Sequence, residues 1–158
     1  MEIMTRDYGT IEIDATSIIS FDEGIIGFGN YHDYVLLDCN DEPSPFRCLQ
    51  STEDSSLAFM LLDPYIVRPD YEVEINDGAA NRLSIDDNDD IAIFAIVVIP
   101  DDIKMMSCNL KAPIIINARV KKGAQCIIDK GEYGVRHIIA DELDRAKGLR
   151  LCEGQAAV

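Results

Sequence analysis

The sequence has little of what catalytic and metal sites are made from. Its 158 residues include two histidines, His32 and His137, and neither lies near a pair of cysteines. The five cysteines (Cys39, Cys48, Cys108, Cys126 and Cys152) are odd in number and widely spaced, and no C-x-x-C occurs. That pattern argues against a zinc site or a disulfide framework. It fits buried, reduced thiols that pack as small apolar residues. No G-x-S-x-G, Walker loop or H-E-x-x-H is present, and "GFGN" offers only an isolated G-x-G. Long apolar runs are missing too. The longest, IAIFAIVVI, is nine residues from Ile91 to Ile99, about half of the ~18 that a membrane helix needs. The start, "MEIMTRDYGTIEID", has no basic stretch followed by an apolar block. No signal peptide is therefore expected, and a cytoplasmic location is.

Positive charge is scarce as well. Fourteen Lys and Arg stand against 29 Asp and Glu, for a net charge of −15. The imbalance is local: residues 1–102 carry 23 acidic and 4 basic side chains, and residues 103–158 carry 6 acidic and 10 basic ones. So acidic a surface repels phosphate backbones, which speaks against direct nucleic-acid binding. It suits electrostatic steering toward a basic protein, and it also suits plain solubility.

What is present is β-pattern. In "GTIEID", Ile11 and Ile13 alternate with Glu12 and Asp14; in "YEVEIN", Tyr71, Val73 and Ile75 alternate with Glu72 and Glu74. Period-two alternation puts one side of a strand on a core and the other in water. "DYVLLDC", "PFRCLQS" and "LAFMLLD" predict three more strands. IAIFAIVVI, with its β-branched residues and no polar break, predicts a strand buried on both faces. "NLKAPIIINARV" predicts a strand entered at Pro113, where a missing N–H costs no ladder bond. "VKKGAQCIID" predicts a hairpin through Lys121, Lys122 and Gly123 into a last strand. Glycines in "DEGIIGFGN", prolines in "DEPSP" and "DPYIVRPD", and the acidic "IDDNDD" and "IPDD" punctuate the chain. Helix is expected near the end, where Ile139, Leu143 and Ala146 recur at helical spacing and Gly148 supplies a stop. A short helical turn fits "DGAANRL". The fold class that follows is mainly β: a compact antiparallel, barrel-like single domain with a short C-terminal helix.

Two acidic groups invite a chemical reading. Asp63, Asp70 and Glu72 flank the prolines of "LLDPYIVRPDYE", and paired carboxylates can serve acid–base or metal chemistry. The Asp86–Asp90 cluster can attract a cation, but it lacks the glycine and downstream glutamate of an EF-hand loop. Turn-capping and solvation are the plainer roles for both groups. Cys108 has no histidine in local range, so it is not expected to act as a nucleophile; His137, flanked by Arg136 and Ile138, fits a packed residue at a strand or helix edge, with a contact on a partner surface as the alternative.

An ordered set of motifs points further. "FDEGIIGF" (21–28), "PFRCLQS" (45–51), "LAFMLLDPY" (57–65), "PDYEVEI" (69–75), "NLKAPIIIN" (109–117), "KKGAQ" (121–125) and "YGVRHII" (133–139) follow one another in the order and spacing of the FliW family of flagellar assembly factors. The chain resembles that family over roughly residues 8–139. The resemblance implies a β-barrel-like domain at 1–139, with 140–158 as a C-terminal helix or tail matching no family motif. It implies a protein that is not an enzyme and uses no cofactor or metal. It implies two partners: the translational regulator CsrA, whose repression of flagellin synthesis such proteins relieve, and flagellin, which they bind as chaperone-like factors. No membrane and no direct nucleic-acid contact is implied, and a monomer is expected when the chain is free. Partner-binding residues are then expected in motif loops whose side chains a barrel core does not need. These are Glu23 and Phe28 at the glycine turn, Asp63, Tyr65 and Asp70 in the double-proline connection, and Met105, Met106, Asn109 and Asn117 around the "NLKAPIIIN" stretch.

Overall fold

The computed structural model describes residues 1–38, 44–86 and 89–156, with side chains through Lys147. Cys39, most of "DEPSP", and Asp87 and Asn88 of the acidic cluster lie outside the described residues, as does the Cys152 side chain. Ten strands are described: β1 Glu2–Met4, β2 Thr10–Glu12, β3 Ile19–Ser20, β4 Asp33–Asp38, β5 Phe46–Ser51, β6 Ala58–Leu62, β7 Ile91–Val98, β8 Ser107–Asn117, β9 Lys122–Gln125 and β10 His137–Ile138. Three helices join them: α1 Pro64–Val67, α2 Asp77–Arg82 and α3 Ile139–Ala156. β1 and β2 form a separate antiparallel hairpin. The sheet order β8-β7-β6-β5-β4-β3-β9 closes through a further β8–β9 pairing into a seven-stranded barrel, and β10 adds to the far side of β8.

The barrel follows from alternation. Tyr34, Leu49, Leu61, Ile114 and Ile116, with Ile19 and Phe21, point into one cluster fed by strands all round the ring. Their sequence neighbours point outward into three further clusters. Leu62, Ala95, Val97, Cys108 and Leu110 pack under α1, α3 and the chain before β10. Ile115 packs under α2 through Ala79 and Leu83. Val35 packs under the β1–β2 hairpin through Ile3 and Ile13. The consecutive isoleucines Ile114, Ile115 and Ile116 are thus buried on both faces of β8, and β-branched side chains suit that setting. Cys48, Cys108 and Cys126 are buried, reduced thiols. Burial pushes the Cys108 thiol up to about 12, so it stays protonated.

Closure depends on a close approach. β3 and β9 meet at one parallel pairing, Ser20 with Lys122, and the Ser20 N–H donates to the Lys121 carbonyl at 2.9 Å. A Cβ on Gly123 would overlap the Phe21 ring. Gly123 therefore sits in β9 because Phe21 occupies the space a side chain would take, and the hairpin turn falls at 118–121 instead, with Lys121 at φ 55°. The expectation of a turn through Gly123 is corrected accordingly.

Four other expectations are revised. "YEVEIN" keeps its alternation but joins no ladder: the Tyr71 hydroxyl donates to the Leu110 carbonyl at 2.6 Å and the Glu72 N–H donates to the Tyr133 hydroxyl at 3.0 Å. β7 is only half-buried along 91–94, where Ile91 and Ile93 pack beside α2, and Val98 at its other end is 60% exposed. Pro113 lies inside β8, not at its head. Phe94 pairs with Ile114 and Ile96 with Asn109, so residues 110–113 bulge out opposite Ala95. Asn109 Oδ1 accepts the N–H groups of Lys111 and Ala112 at 3.0 Å, and Pro113 has no N–H to satisfy. Finally, α3 runs through Gly148 to Ala156, and Leu143 faces water while Ile139 and Ala146 are buried. One helical glycine costs only about 1 kcal/mol, which does not end a helix by itself.

A charged cluster ties α3 down. Arg68, 7% exposed, lies over the Tyr133 ring at 5.3 Å and faces Glu142 at 3.5 Å. His137 accepts the Gly134 N–H at Nε2 (2.8 Å) and meets Glu142 at Nδ1 (2.9 Å). Arg145 donates twice to Asp70, at 3.0 and 3.1 Å.

Two predictions follow from this packing. Gly123→Val is expected to lower the free energy of unfolding by about 1–3 kcal/mol or more through overpacking against Phe21. An unchanged urea midpoint would refute that close approach. The Arg145 hydrogen bonds, ahead of the Arg68 charge, hold the Asp70 carboxyl down at about 2. A depressed carboxyl pKa stabilises the fold above the ordinary carboxyl range and loses that contribution as pH falls toward 2. The pair is partly exposed, so Asp70→Asn should cost less than about 1 kcal/mol near neutrality and a smaller amount at pH 2, measured by urea melts at both pH values.

Candidate protein-docking site

An apolar groove opens on the barrel surface where the glycine turn meets the bulge of β8. Gly24 and Gly27 have φ of 68° and 89°, values that favour glycine. A Cβ on Gly24 would lie 2.8 Å from Gly29 Cα and the Phe28 carbonyl oxygen, so the turn is also tight in space. Within it, the Phe28 N–H donates to the Ile25 carbonyl at 2.7 Å. Ile25 is driven into the barrel and Ile26 is left 62% exposed. Gln125, in β9, fixes the turn against the bulge. Its Oε1 accepts the Ile26 N–H at 2.8 Å and its Nε2 donates to the Ala112 carbonyl at 3.1 Å. The resulting concavity holds about 400 Å³ and is lined by Ile26, Phe59, Ile96, Lys111, Ile127 and Val135, with Ile25, Asn109, Ala112 and Gln125 between them.

Two further apolar residues of the groove are as open as Ile26: Ile127 and Val135 are each 64% exposed. Apolar side chains gathered in one concave patch mark an interaction surface more than scattered ones do. Phe28 extends the patch, stacked edge-on against Phe59 at 5.4 Å and itself 40% exposed. Among the described residues no acidic side chain lines the groove. Lys111 has no ion pair or side-chain hydrogen bond among the described residues, whereas Arg6, Arg47, Arg68, Arg82, Arg119, Lys130 and Arg145 all face carboxylates.

The residues expected from sequence are distributed unevenly around this site. Phe28 and Asn109 belong to it, although the Asn109 carboxamide oxygen is committed to the bulge. Glu23 lies just beside it, paired with Arg82 at 2.6 Å. Asp63, Tyr65 and Asp70 form a separate group at α1. Asp63 caps the helix by accepting the Tyr65 N–H at 3.0 Å, and Tyr65 is 41% exposed against Tyr71. Met105 is exposed on the turn before β8, and Met106 packs on the outer core, its carbonyl accepting the Ile139 N–H. Asn117 is fully buried, donating to the Leu83 carbonyl and to Asp89, so its side chain supports the fold from inside.

The carboxylate readings separate in the same way. Asp63 caps α1, Asp70 holds Arg145, and Glu72 holds Lys130 at 2.5 Å. Asp89 is held by Arg119, the Asp86 N–H and Asn117, which keep its carboxyl well below the usual range. Among the described residues no group of three His, Cys, Asp or Glu is placed to hold a metal ion. None of their helices is long and apolar enough to cross a membrane.

Sequence reasoning missed Ile26, Lys111, Gln125, Ile127 and Val135. A signal for Ile127 exists: Cys126 and Ile128 are buried, and Ile127 between them is apolar at an outward position. The other four depend on the turn and the bulge, which juxtapose residues about a hundred positions apart.

Comparison with known proteins agrees with this architecture. A family model described as FliW protein matches residues 2–139. The flagellar assembly factor FliW of Thermoanaerobacter pseudethanolicus is 42% identical over 146 residues, covering 92% of this chain and 97% of that protein. The one from Ruminiclostridium cellulolyticum is 43% identical over 145 residues, covering 92% and 98%. In structure the chain is similar to a crystal structure of the flagellar assembly factor FliW, with a TM-score of 0.82 at 33% identity, covering 88% of this chain and 96% of that one. With the motifs in order, the barrel closed and the family model spanning most of its length, this chain belongs to the FliW family of flagellar assembly factors.

Proposed function

We propose that this chain is a non-enzymatic, cytoplasmic binding protein with two protein partners. It binds the translational regulator CsrA and relieves its repression of flagellin synthesis, and it binds flagellin as a chaperone-like assembly factor. The observation that carries this reading is an open apolar groove on a barrel whose candidate catalytic carboxylates are all engaged in caps and ion pairs. Such a surface is built to meet another protein. Membership of a family of flagellar assembly factors supports flagellin as one partner.

The charge supports the other. CsrA is a small RNA-binding protein with basic surfaces, and this chain carries a net −15 concentrated in residues 1–102. All four basic side chains of that stretch (Arg6, Arg47, Arg68 and Arg82) are already paired, so most of its carboxylates remain uncompensated. An acidic surface accelerates encounter with a basic partner and repels the RNA that the partner would otherwise hold.

The test is retention of CsrA on the immobilised chain, with flagellin as competitor, repeated across salt concentrations. The expected outcome is that CsrA is retained, that flagellin displaces it, and that CsrA association slows as salt rises. Retention of flagellin alone would leave a chaperone without the regulatory arm. Retention of neither would remove the proposal.

A further inference from the structure

We infer that the groove between the glycine turn and the β8 bulge is the seat for flagellin, and that it takes an apolar segment carrying a carboxylate that pairs with Lys111. The inference rests on the two-partner reading above and assigns one of those partners a place and a chemistry. The apolar part follows from Ile26, Ile127 and Val135, each more than three-fifths exposed around a floor of Phe59 and Ile96. Their area is removed from water only if the occupant is itself apolar.

The charged part follows from Lys111. It lines the same concavity, is half-buried, and has no acidic partner among the described residues. An occupant laid over these isoleucines dehydrates the ammonium group, and a dehydrated cation without a counter-charge is costly. The occupant must therefore bring the anion. Arg136, next to the groove-lining Val135, is exposed and likewise without an acidic partner among the described residues. Lys111 is thus a positive charge without a counter-ion in the groove lining, on a chain of net charge −15. A basic partner is repelled by this cation and drawn to the carboxylates beyond it, so CsrA docks next to the groove and not in it, where bound flagellin displaces it.

The bulge explains how a lysine comes to be there. Residues 110–113 leave the β7 ladder, and a bulge re-aims the side chains it contains. The Lys111 backbone is fixed at both ends: its N–H donates to the Gly134 carbonyl at 3.1 Å and its carbonyl accepts the Ile128 N–H at 2.7 Å. The cation is therefore presented from a held backbone, with the flanking segments that carry Ile127 and Val135 tied to the same residue.

The experiment titrates the full chain and its variants with two probes, purified flagellin monomer and purified CsrA, by calorimetry. Lys111→Glu and Ile127→Asp are each expected to weaken flagellin binding about tenfold or more, as truncating a central contact does. Lys111→Arg should keep most of the affinity, since charge is preserved. CsrA binding should be unchanged by all three. Lys104→Glu, an unpaired lysine outside the groove lining, should leave flagellin binding as it is. Both groove positions face water at least in part, so melting temperatures of the variants report whether folding is intact. Flagellin binding to Lys111→Glu and Ile127→Asp at the unsubstituted strength would overturn the inference while leaving the proposed function standing. Loss of CsrA binding with flagellin binding kept would overturn it too, by giving the groove to the basic partner. If the unsubstituted chain binds neither probe, the proposed function falls and this inference falls with it.

Discussion

The structure depends on the contact of Phe21 with the bare Cα of Gly123. Seven strands close into a ring only if β3 and β9 meet, and they meet at a single parallel pairing with the Phe21 ring packed where a side chain would stand. Closure in turn removes the two edges that an open sheet of this order would expose. It also gives β8 partners on both sides along Ile114–Asn117, with β7 on one flank and β9 on the other. This isoleucine stretch is therefore paired on both flanks and buried on both faces. Its interior residues fill the barrel, and Ile115 supplies the surface on which α2 rests.

Local composition and alternation were enough to find most of this. The strands at 33–38, 46–51, 58–62 and 91–98 lie in the apolar, β-branched and aromatic runs that predicted them, and the one at 10–12 lies in an alternating run, where burial on a pleated backbone imposes period two. The same pattern misled at 71–75. There it reports faithfully which side chains are buried, but burial of Tyr71, Val73 and Ile75 needs no neighbouring strand, only a surface. Residues whose roles are set by distant partners were not legible at all. Gln50 is fully buried; its Nε2 reaches the Ser51 and Leu57 carbonyls and its Oε1 accepts the Arg6 N–H. Nothing in "PFRCLQS" announces that one polar side chain will organise the following loop. Gly123 looked like a turn residue for the same reason: its actual constraint is an aromatic ring a hundred positions earlier.

The candidate site divides along the same line. Phe28 lies at the groove and Glu23 beside it because a glycine-rich turn exposes what flanks it. Asn117 was placed near a binding surface on the strength of its position beside three isoleucines, and the structure gives it the opposite duty. It is a buried polar anchor whose hydrogen bonds satisfy the Leu83 carbonyl and position Asp89 for Arg119. A polar residue at the end of an apolar strand is ambiguous in sequence between these roles, because either a solvent-facing or a fully bonded carboxamide is stable there.

The short segment Asn109–Pro113 shows how fold and surface are made by the same residues. As a regular strand, "NLKAP" would bury or expose its side chains by simple alternation and leave Pro113 interrupting the β7 ladder. As a bulge it does neither. Asn109 takes up the N–H groups that the ladder no longer receives, and Pro113 ends the bulge without a donor to lose. The displaced backbone turns instead to Gly134 and Ile128, which fastens the chain from 126 to 135 alongside the strand. That fastening brings Ile127 and Val135 into one concavity with Ile26 and Lys111. A barrel built for stability alone would gain from burying those three apolar side chains or replacing them with polar ones. Their joint exposure around one uncompensated cation is a cost to the isolated chain, and a partner that supplies apolar surface and a carboxylate offsets it on binding.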